Sequence, residues 1–362
     1  MPVKTKLTTF LRRFAYSMLL SFNVVVGIGY LFCAYSSYVC PVHHPYLACV
    51  GLSFPLWGML NVLFVFLWLF VNWKYVLLPI LILAMGWGSM QSYLPMNLKK
   101  SLHGGDTIKV LTYNVEGLGD KSSDDGRSIL SYLKGSGADI ICLQEFTTHG
   151  TVSEKEIKQA LASYPYGRVV QTRGGDGLAC YSRFPILSSS LVGYSSLFNG
   201  SAIFRLQVGK DTLMLINNHL ESNKLTSKDK GMYREILTAP REEVVKSGGK
   251  RLLRKLGCAV SIRAVQADSV ACAIRRNRTR YMIVCGDIND SPVSYAHRVV
   301  GRGLIDAYRE AGFGPGFSYN RNHFYFRIDH LFVSNGFRVV KCEVDRSIRS
   351  SDHYPLWSLL EK

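Results

Sequence analysis

The chain has 362 residues, 48% of them hydrophobic, and carries 43 Lys and Arg against 26 Asp and Glu, a net charge of +17. Neither property is evenly spread: between residues 14 and 98 the only Lys, Arg, Asp or Glu is Lys74, and the first acidic residue of the chain is Asp106. A stretch that long without charge cannot form a soluble surface, so a wholly soluble protein is excluded, and the length leaves room for a membrane region plus one large domain.

Residues 1–100 form the expected membrane region. Apolar runs at 16–36, 47–71 and 75–93 each approach the ~20 residues needed to cross a ~30 Å hydrocarbon core as a helix. The Pro41-Val42-His43-His44-Pro45 loop separates the first two, and Asn72-Trp73-Lys74 turns the second into the third. The first run is also read against a cleaved signal peptide, but it is long for one, lacks a small-x-small cleavage site and is followed by further apolar runs. Lys4, Lys6, Arg12 and Arg13 precede the first helix and hold the N-terminus in the cytoplasm. Three crossings then place the C-terminal domain on the extracytoplasmic side, with Lys99 and Lys100 arguing the other way. The expected localisation is a multi-pass integral membrane protein whose first partner is the lipid bilayer.

Residues 106–362 alternate apolar runs with helical patterns. Strands are predicted at 108–113, 139–143, 178–181, 202–208, 213–217, 282–285, 327–333, 339–344 and 356–360, and helices near 126–133, 154–162 and 261–274. Many strands with few helices predict two packed sheets covered by helices. The nine cysteines include no Cys-x-x-Cys pair, and their odd number argues against a full disulfide framework. Cys142 and Cys285 read as buried apolar residues. From 222 to 280 the chain carries 15 Lys and Arg against 5 Asp and Glu, which accounts for the whole positive excess of the domain. That basic helical insertion reads as a solvated arm, as a surface for anionic lipid headgroups, or as a grip on substrate phosphates.

Polar residues cluster where the apolar strands end. Thr112-Tyr113-Asn114-Val115-Glu116 follows the first strand and Leu143-Gln144-Glu145 the second. Asn217-Asn218-His219 ends another, and Val284-Cys285-Gly286-Asp287-Ile288-Asn289-Asp290 ends the next. The set closes with Ile328-Asp329-His330 and Ser351-Asp352-His353. A lone carboxylate at a strand end is usually structural, but this ordered set supplies what phosphate hydrolysis needs. Carboxylate and amide oxygens suit Mg²⁺, and a histidine beside an aspartate moves a proton near neutral pH. A candidate ligand set free of cysteine and light in histidine argues against structural zinc, and the absence of Gly-x-Ser-x-Gly argues against a serine hydrolase.

In this order the motifs, with the Ser182-Arg183-Phe184-Pro185 connection, resemble the endonuclease/exonuclease/phosphatase superfamily over about residues 107–361. The resemblance implies a four-layer α/β/β/α sandwich, DNase I-like, and divalent-metal-dependent hydrolysis of a phosphodiester or phosphomonoester. It further implies Mg²⁺, with Mn²⁺ able to substitute, held by Glu145 as principal ligand with Asn114 and Asp352. His219 then contacts the scissile phosphate, and Asp287 and Asn289 position the attacking water and the phosphate. His353 stands at the centre of the site, oriented by Asp329. Glu116, Glu221, Asp290 and His330 receive no role.

Tyr113-Asn114 is followed by Glu116-Gly117-Leu118-Gly119 rather than by the pattern of the family's repair enzymes, so abasic-site repair is not expected. The substrate stays open between nucleic acid, a phospholipid headgroup and a small phosphate ester. A non-catalytic, membrane-tethered binding module is the alternative on the same fold. No protein partner is indicated.

Overall fold

The computed structural model describes residues 2–98, 100–118, 127–147, 152–238, 242–321 and 325–362. Lys99, Gly119 and Gly126 of the sequence reading lie outside the described residues.

Five helices make up the N-terminal region: α1 (Pro2–Tyr35), α2 (Pro45–Ala48), α3 (Phe54–Val71), α4 (Leu77–Met85) and α5 (Trp87–Tyr93). Its packing inverts that of a soluble bundle. Asn23, Asn61 and Trp68 are buried, and Trp68 Nε1 donates to Asn23 Oδ1 at 2.9 Å. Phe70, Phe10 and Ile28 instead point outward, 88%, 64% and 64% exposed. Polar groups paired inside with apolar groups outside is the arrangement a lipid surrounding selects. Segments Thr9–Tyr38 and Pro45–Val71 are each long and apolar enough to cross a membrane. The third expected run differs: it breaks at Gly86 into two helices bent by 66°. Tyr30 fills the space where a Cβ at residue 86 would sit, 2.4 Å from the nearest ring atom.

Among the described residues the C-terminal domain holds twelve strands. They are β1 (Thr107–Asn114), β2 (Ile140–Phe146), β3 (Tyr166–Gln171), β4 (Gly177–Ser182), β5 (Ile186–Leu191), β6 (Gly200–Val208), β7 (Asp211–His219), β8 (Tyr281–Asp287), β9 (Ile305–Asp306), β10 (Asp329–Val333), β11 (Arg338–Val344) and β12 (Leu356–Glu361). They form two six-stranded sheets, ordered β11-β12-β1-β2-β4-β3 and β5-β6-β7-β8-β10-β9. Side chains alternate as the pleat requires. Ile283 and Cys285 of β8 enter the core between the sheets, while Met282 and Val284 face outward beneath helices.

The helices α6 (Arg127–Gly135) and α7 (Glu154–Ala160) cover the first sheet through Ile129, Leu133 and Ile157. The second sheet is covered by α9 (Glu242–Arg276) through Ala267, Val270 and Ile274, and by α10 (Tyr295–Val300) through Ala296 and Val300. These are the four layers expected from the sequence. Two further helices are α8 (Ser227–Thr238) and α11 (Ala307–Ala311), and α11 adds Ala307 and Tyr308 to the core between the sheets.

The C-terminal half of α9 is the crossover helix between the parallel strands β7 and β8 and belongs to the core. The basic insertion therefore narrows to α8 and the first half of α9. There the buried Asp229 takes Arg251 at 2.9 Å and Lys255 at 2.5 Å.

The N-terminal region packs against the α9/α10 layer. Ser261 Oγ donates to Pro41 O at 2.9 Å, Arg298 Nε donates to Ser37 O at 2.8 Å, and Val293 joins the cluster of Tyr30, Phe54 and Ile82. The domain thus sits at the end of the bundle where α1 finishes.

Candidate active site

Two parallel pairs, β1 with β2 and β7 with β8, end at the same edge of the sandwich. Asn114, Glu145, His219 and Asp287 are their terminal polar residues. β10 runs antiparallel to β8 with Asp329 opposite Asp287, and a bridge from Tyr319 fixes His353 before β12. Beneath them a buried neutral network ties the sheets together. Gln144 Nε2 donates to Thr112 Oγ1 at 3.0 Å and to Asn217 Oδ1 at 2.6 Å, and Asn217 Nδ2 donates to Leu143 O at 2.9 Å.

Backbone strain concentrates here. Of five non-glycine residues with positive φ, three belong to this edge: Glu116 (42°), Glu145 (52°) and Asn289 (56°). Each such residue costs about 1–3 kcal/mol and persists only where its surroundings hold it. At Glu145 the cause is a register shift between β2 and β4 that spans Leu143 to Phe146 and re-aims the carboxylate. At Gly286 (φ 122°) a Cβ would lie 2.1 Å from Asn218 O, so only glycine lets the strand turn into the site.

Asp287 Oδ2 is the hub. It accepts from Asn114 Nδ2 at 3.2 Å and Asn289 Nδ2 at 3.0 Å, and stands 3.9 Å from His219 Nε2 and 3.7 Å from His353 Nε2. Asn114 Nδ2 also donates to Glu145 Oε1 at 3.0 Å, and His219 Nε2 lies 3.4 Å from that oxygen. Burial drives the Asp287 carboxyl up, with Asp329 adding to the rise and His353 and His219 opposing it. His353 Nδ1 donates to Asp329 Oδ2 at 2.8 Å. Burial alone would lower that imidazole, but Asp329, Asp287 and Asp352 outweigh it and hold it well above its usual range.

All eight residues singled out in the sequence therefore gather at one edge of the sandwich, in two linked groups. Asn114, Glu145, His219, Asp287 and Asn289 form one. Asp329, His353 and Asp352 form the other, joined to the first through Asp287 and His353. Asp352 stands on the far flank, 3.6 Å from Arg321 Nη1, and its N–H donates to Glu116 Oε2 at 3.2 Å. Among the described residues, the His, Cys, Asp and Glu side chains whose ligand atoms all lie within 4.8 Å of one another in a group of three are Asp287, Asp329 and His353.

The hollow fits a hard cation. Its acids outnumber its bases, and the Asp329 Oδ1 atom is buried with no hydrogen-bond partner. Burial and Asp352 together outweigh Arg321 and push the Glu116 carboxyl up, while burial and Glu145 do the same to Asp176. A dication would relieve both flanks.

Sequence reasoning missed four contributors. Asn199 Nδ2 sits 3.3 Å from His219 Nε2 and donates to Leu220 O at 3.0 Å. Arg321 and Asp176 border the hollow from loops. Arg263 of α9 is 1% exposed and clamps the two site loops. Its Nε donates to Glu221 O at 3.1 Å, its Nη1 to Asn289 O at 2.7 Å, and its Nη2 to Asn223 Oδ1 at 2.6 Å. Nη1 also pairs with Asp290 at 3.1 Å. An arginine in the apolar stretch 259–274 is the signal that marks it, because such a charge must be paired when buried.

Residues 111–353 match the model of the Endonuclease/Exonuclease/phosphatase family. The chain belongs to that family. The match runs from β1 through His353 and includes every residue of the hollow named above. The family fold is also that of humanized D. rerio TDP2, whose crystal structure aligns at 18% identity and a TM-score of 0.50 over 71% of this chain and 99% of that one. A family protein from Bacteroides thetaiotaomicron aligns at 18% identity and 0.48, over 71% of this chain and 98% of that one. One from Beutenbergia cavernae aligns at 15% and 0.48, over 70% and 71%. Residues 16–93 match a domain of unknown function, DUF8431. No curated protein matches the chain. Family membership places the domain among hydrolases of phosphoesters.

Proposed function

We propose that this chain is a membrane-anchored, divalent-metal-dependent phosphohydrolase that cleaves a phosphodiester or phosphomonoester. The observation that carries the reading is the convergence of Glu145, Asp287, His219 and His353, from both sheets, on one hollow with more acid than base. Asn114, Glu145 and Asp352 would hold Mg²⁺, with Mn²⁺ able to replace it, and the cation would offset charge on the phosphate oxygens. Asn289 and His219 orient the phosphate. Asp287, its carboxyl pushed up by burial, is suited to align the attacking water and accept its proton. His353, held charged by Asp329, stabilises developing negative charge.

The inverted packing of α1 and α3 supports anchoring in a bilayer, and the basic residues ahead of α1 support an extracytoplasmic catalytic domain. The basic face of α8 and α9 is suited to anionic headgroups.

The test uses the full-length protein in detergent with plasmid DNA, a generic phosphodiester and sphingomyelin or anionic vesicles as substrates. Hydrolysis of at least one only with added Mg²⁺ or Mn²⁺, abolished in Glu145→Ala and His353→Ala that still unfold cooperatively, is the expected result. Variants that keep wild-type rates would overturn the assignment.

A further inference from the structure

A cavity of about 810 Å³ separates the bent α4/α5 pair from α10 and α11. That volume lies in the range of small-molecule sites. Its floor is apolar, built from the buried Val293 and Phe332 of the domain. Its opposite wall is Gly86, Gly88 and Ser89, and a Cβ at Gly88 would meet nothing within 4 Å.

Three cations line it: Arg298, Lys100 and Arg309. Arg298 is held by its Nε bond to Ser37 O, with its guanidinium 4.7 Å from the Tyr38 ring centre and 5.4 Å from that of Tyr295. Its two Nη groups donate to no described residue. A guanidinium fixed by aromatic rings with its fork unspent is the geometry that takes a phosphate. Arg309 spends one Nη2 bond on Gln91 Oε1 at 3.1 Å, and Lys100 pairs with Glu310 at 2.5 Å on the open rim. The cavity's other carboxylate, Asp306, is occupied: its Oδ2 lies 3.0 Å from His297 Nε2, and its Oδ1 accepts the Tyr308 and Arg309 N–H groups.

The mouth is set at the end of the helical bundle. Tyr35 and Met85 there are 50% and 60% exposed. Aromatic and apolar side chains in such a place match the boundary between hydrocarbon and headgroups. Basic pockets beside membrane helices at that depth are suited to anionic headgroups.

We propose that this cavity binds one anionic phospholipid, with its phosphate on Arg298, its headgroup toward Lys100 and Arg309, and its acyl chains along α4 outside the cavity. The inference rests on the membrane reading of residues 9–93 and not on the catalytic one. Its source is the bilayer rather than free phosphate, because the exposed Tyr35 and Met85 need an apolar cover.

Full-length protein in phosphatidylcholine nanodiscs, titrated with phosphatidylglycerol and read by native mass spectrometry, tests this. The wild type is expected to retain one phosphatidylglycerol at least about tenfold more tightly than phosphatidylcholine, as several basic side chains imply. Arg298→Gln is expected to lose the preference, and the Lys100→Gln/Arg309→Gln double variant to weaken it several-fold. The double variant leaves the Ser37 contact intact, so it decides the matter if Arg298→Gln fails to fold. No preference in the wild type, or equal retention by a folded variant, overturns the proposal. So does displacement of the lipid by equimolar glycerol 3-phosphate. Release of the chain from membranes by alkaline carbonate would instead overturn the membrane reading on which the site depends.

Discussion

Asp287 Oδ2 has four nitrogen neighbours within 3.9 Å, on Asn114, Asn289, His219 and His353, and among the described residues none is a lysine or arginine. Its charge is balanced by imidazoles, so the site's protonation is tied to Asp329, the partner of His353. Removing that carboxylate in Asp329→Asn lowers the pH at which His353 titrates. The limb of the pH–rate profile that His353 controls is then expected to move to lower pH, and the rate at neutral pH to fall by about 10²–10³-fold as the charge on His353 is lost. Stability follows the same sign. The His353 pKa is raised in the folded chain, so its contribution is present in full below the unfolded value of about 6.5 and is lost as pH rises through the folded value. Thermal unfolding across pH should show a flatter profile in Asp329→Asn.

Arg263 gives a second residue-scale expectation. Arg263→Ala strands the partly buried Asp290 and should cost about 3–5 kcal/mol in thermal or denaturant unfolding. Arg263→Lys keeps the charge but not the fork, so it should fold and lose kcat more than it changes KM. The eight strand-end residues were legible because each closes an apolar run that a single sequence displays. Asn199, Asp176 and Arg321 were not, because they reach the hollow from loops with no periodic pattern.

At the scale of elements, nine of the strands follow from apolar runs, while β3, β5 and β9 do not. The first two are edge strands whose residues are mostly exposed, and the last has two residues, so none carries a burial signal. The helix α9 is mixed in character. Its C-terminal half is legible as an apolar stripe, but its charge disguises the fact that one continuous helix joins the basic arm to the core. The two faces of α9 should respond differently. Ile274→Ala, 4% exposed, should cost about 2–5 kcal/mol, whereas Ile262→Ser, 45% exposed, should stay within about 0.5 kcal/mol, both read by denaturant unfolding. The break at Gly86 escaped the sequence reading because hydropathy runs unbroken across it. The cause is the fit of Tyr30, which only the tertiary structure reveals.

For the whole molecule, the N-terminal helices and the domain act as one packed unit. The segment that leaves Asp287 continues through Asp290 to Val293, and Val293 packs among Tyr30, Phe54 and Ile82. The site's loop is thus seated on the end of the helical bundle. Alkaline carbonate extraction is expected to leave the full chain in the membrane pellet, and release into the supernatant would count against the anchor.

The central claim is that acids and imidazoles from both sheets make a single seat for a dication. Calorimetric titration of Mg²⁺ into full-length wild type and Glu145→Gln tests it most directly. Saturable binding in the wild type that Glu145→Gln removes or greatly weakens is the predicted result. Absence of binding in the wild type, or identical isotherms for the two proteins, would contradict it.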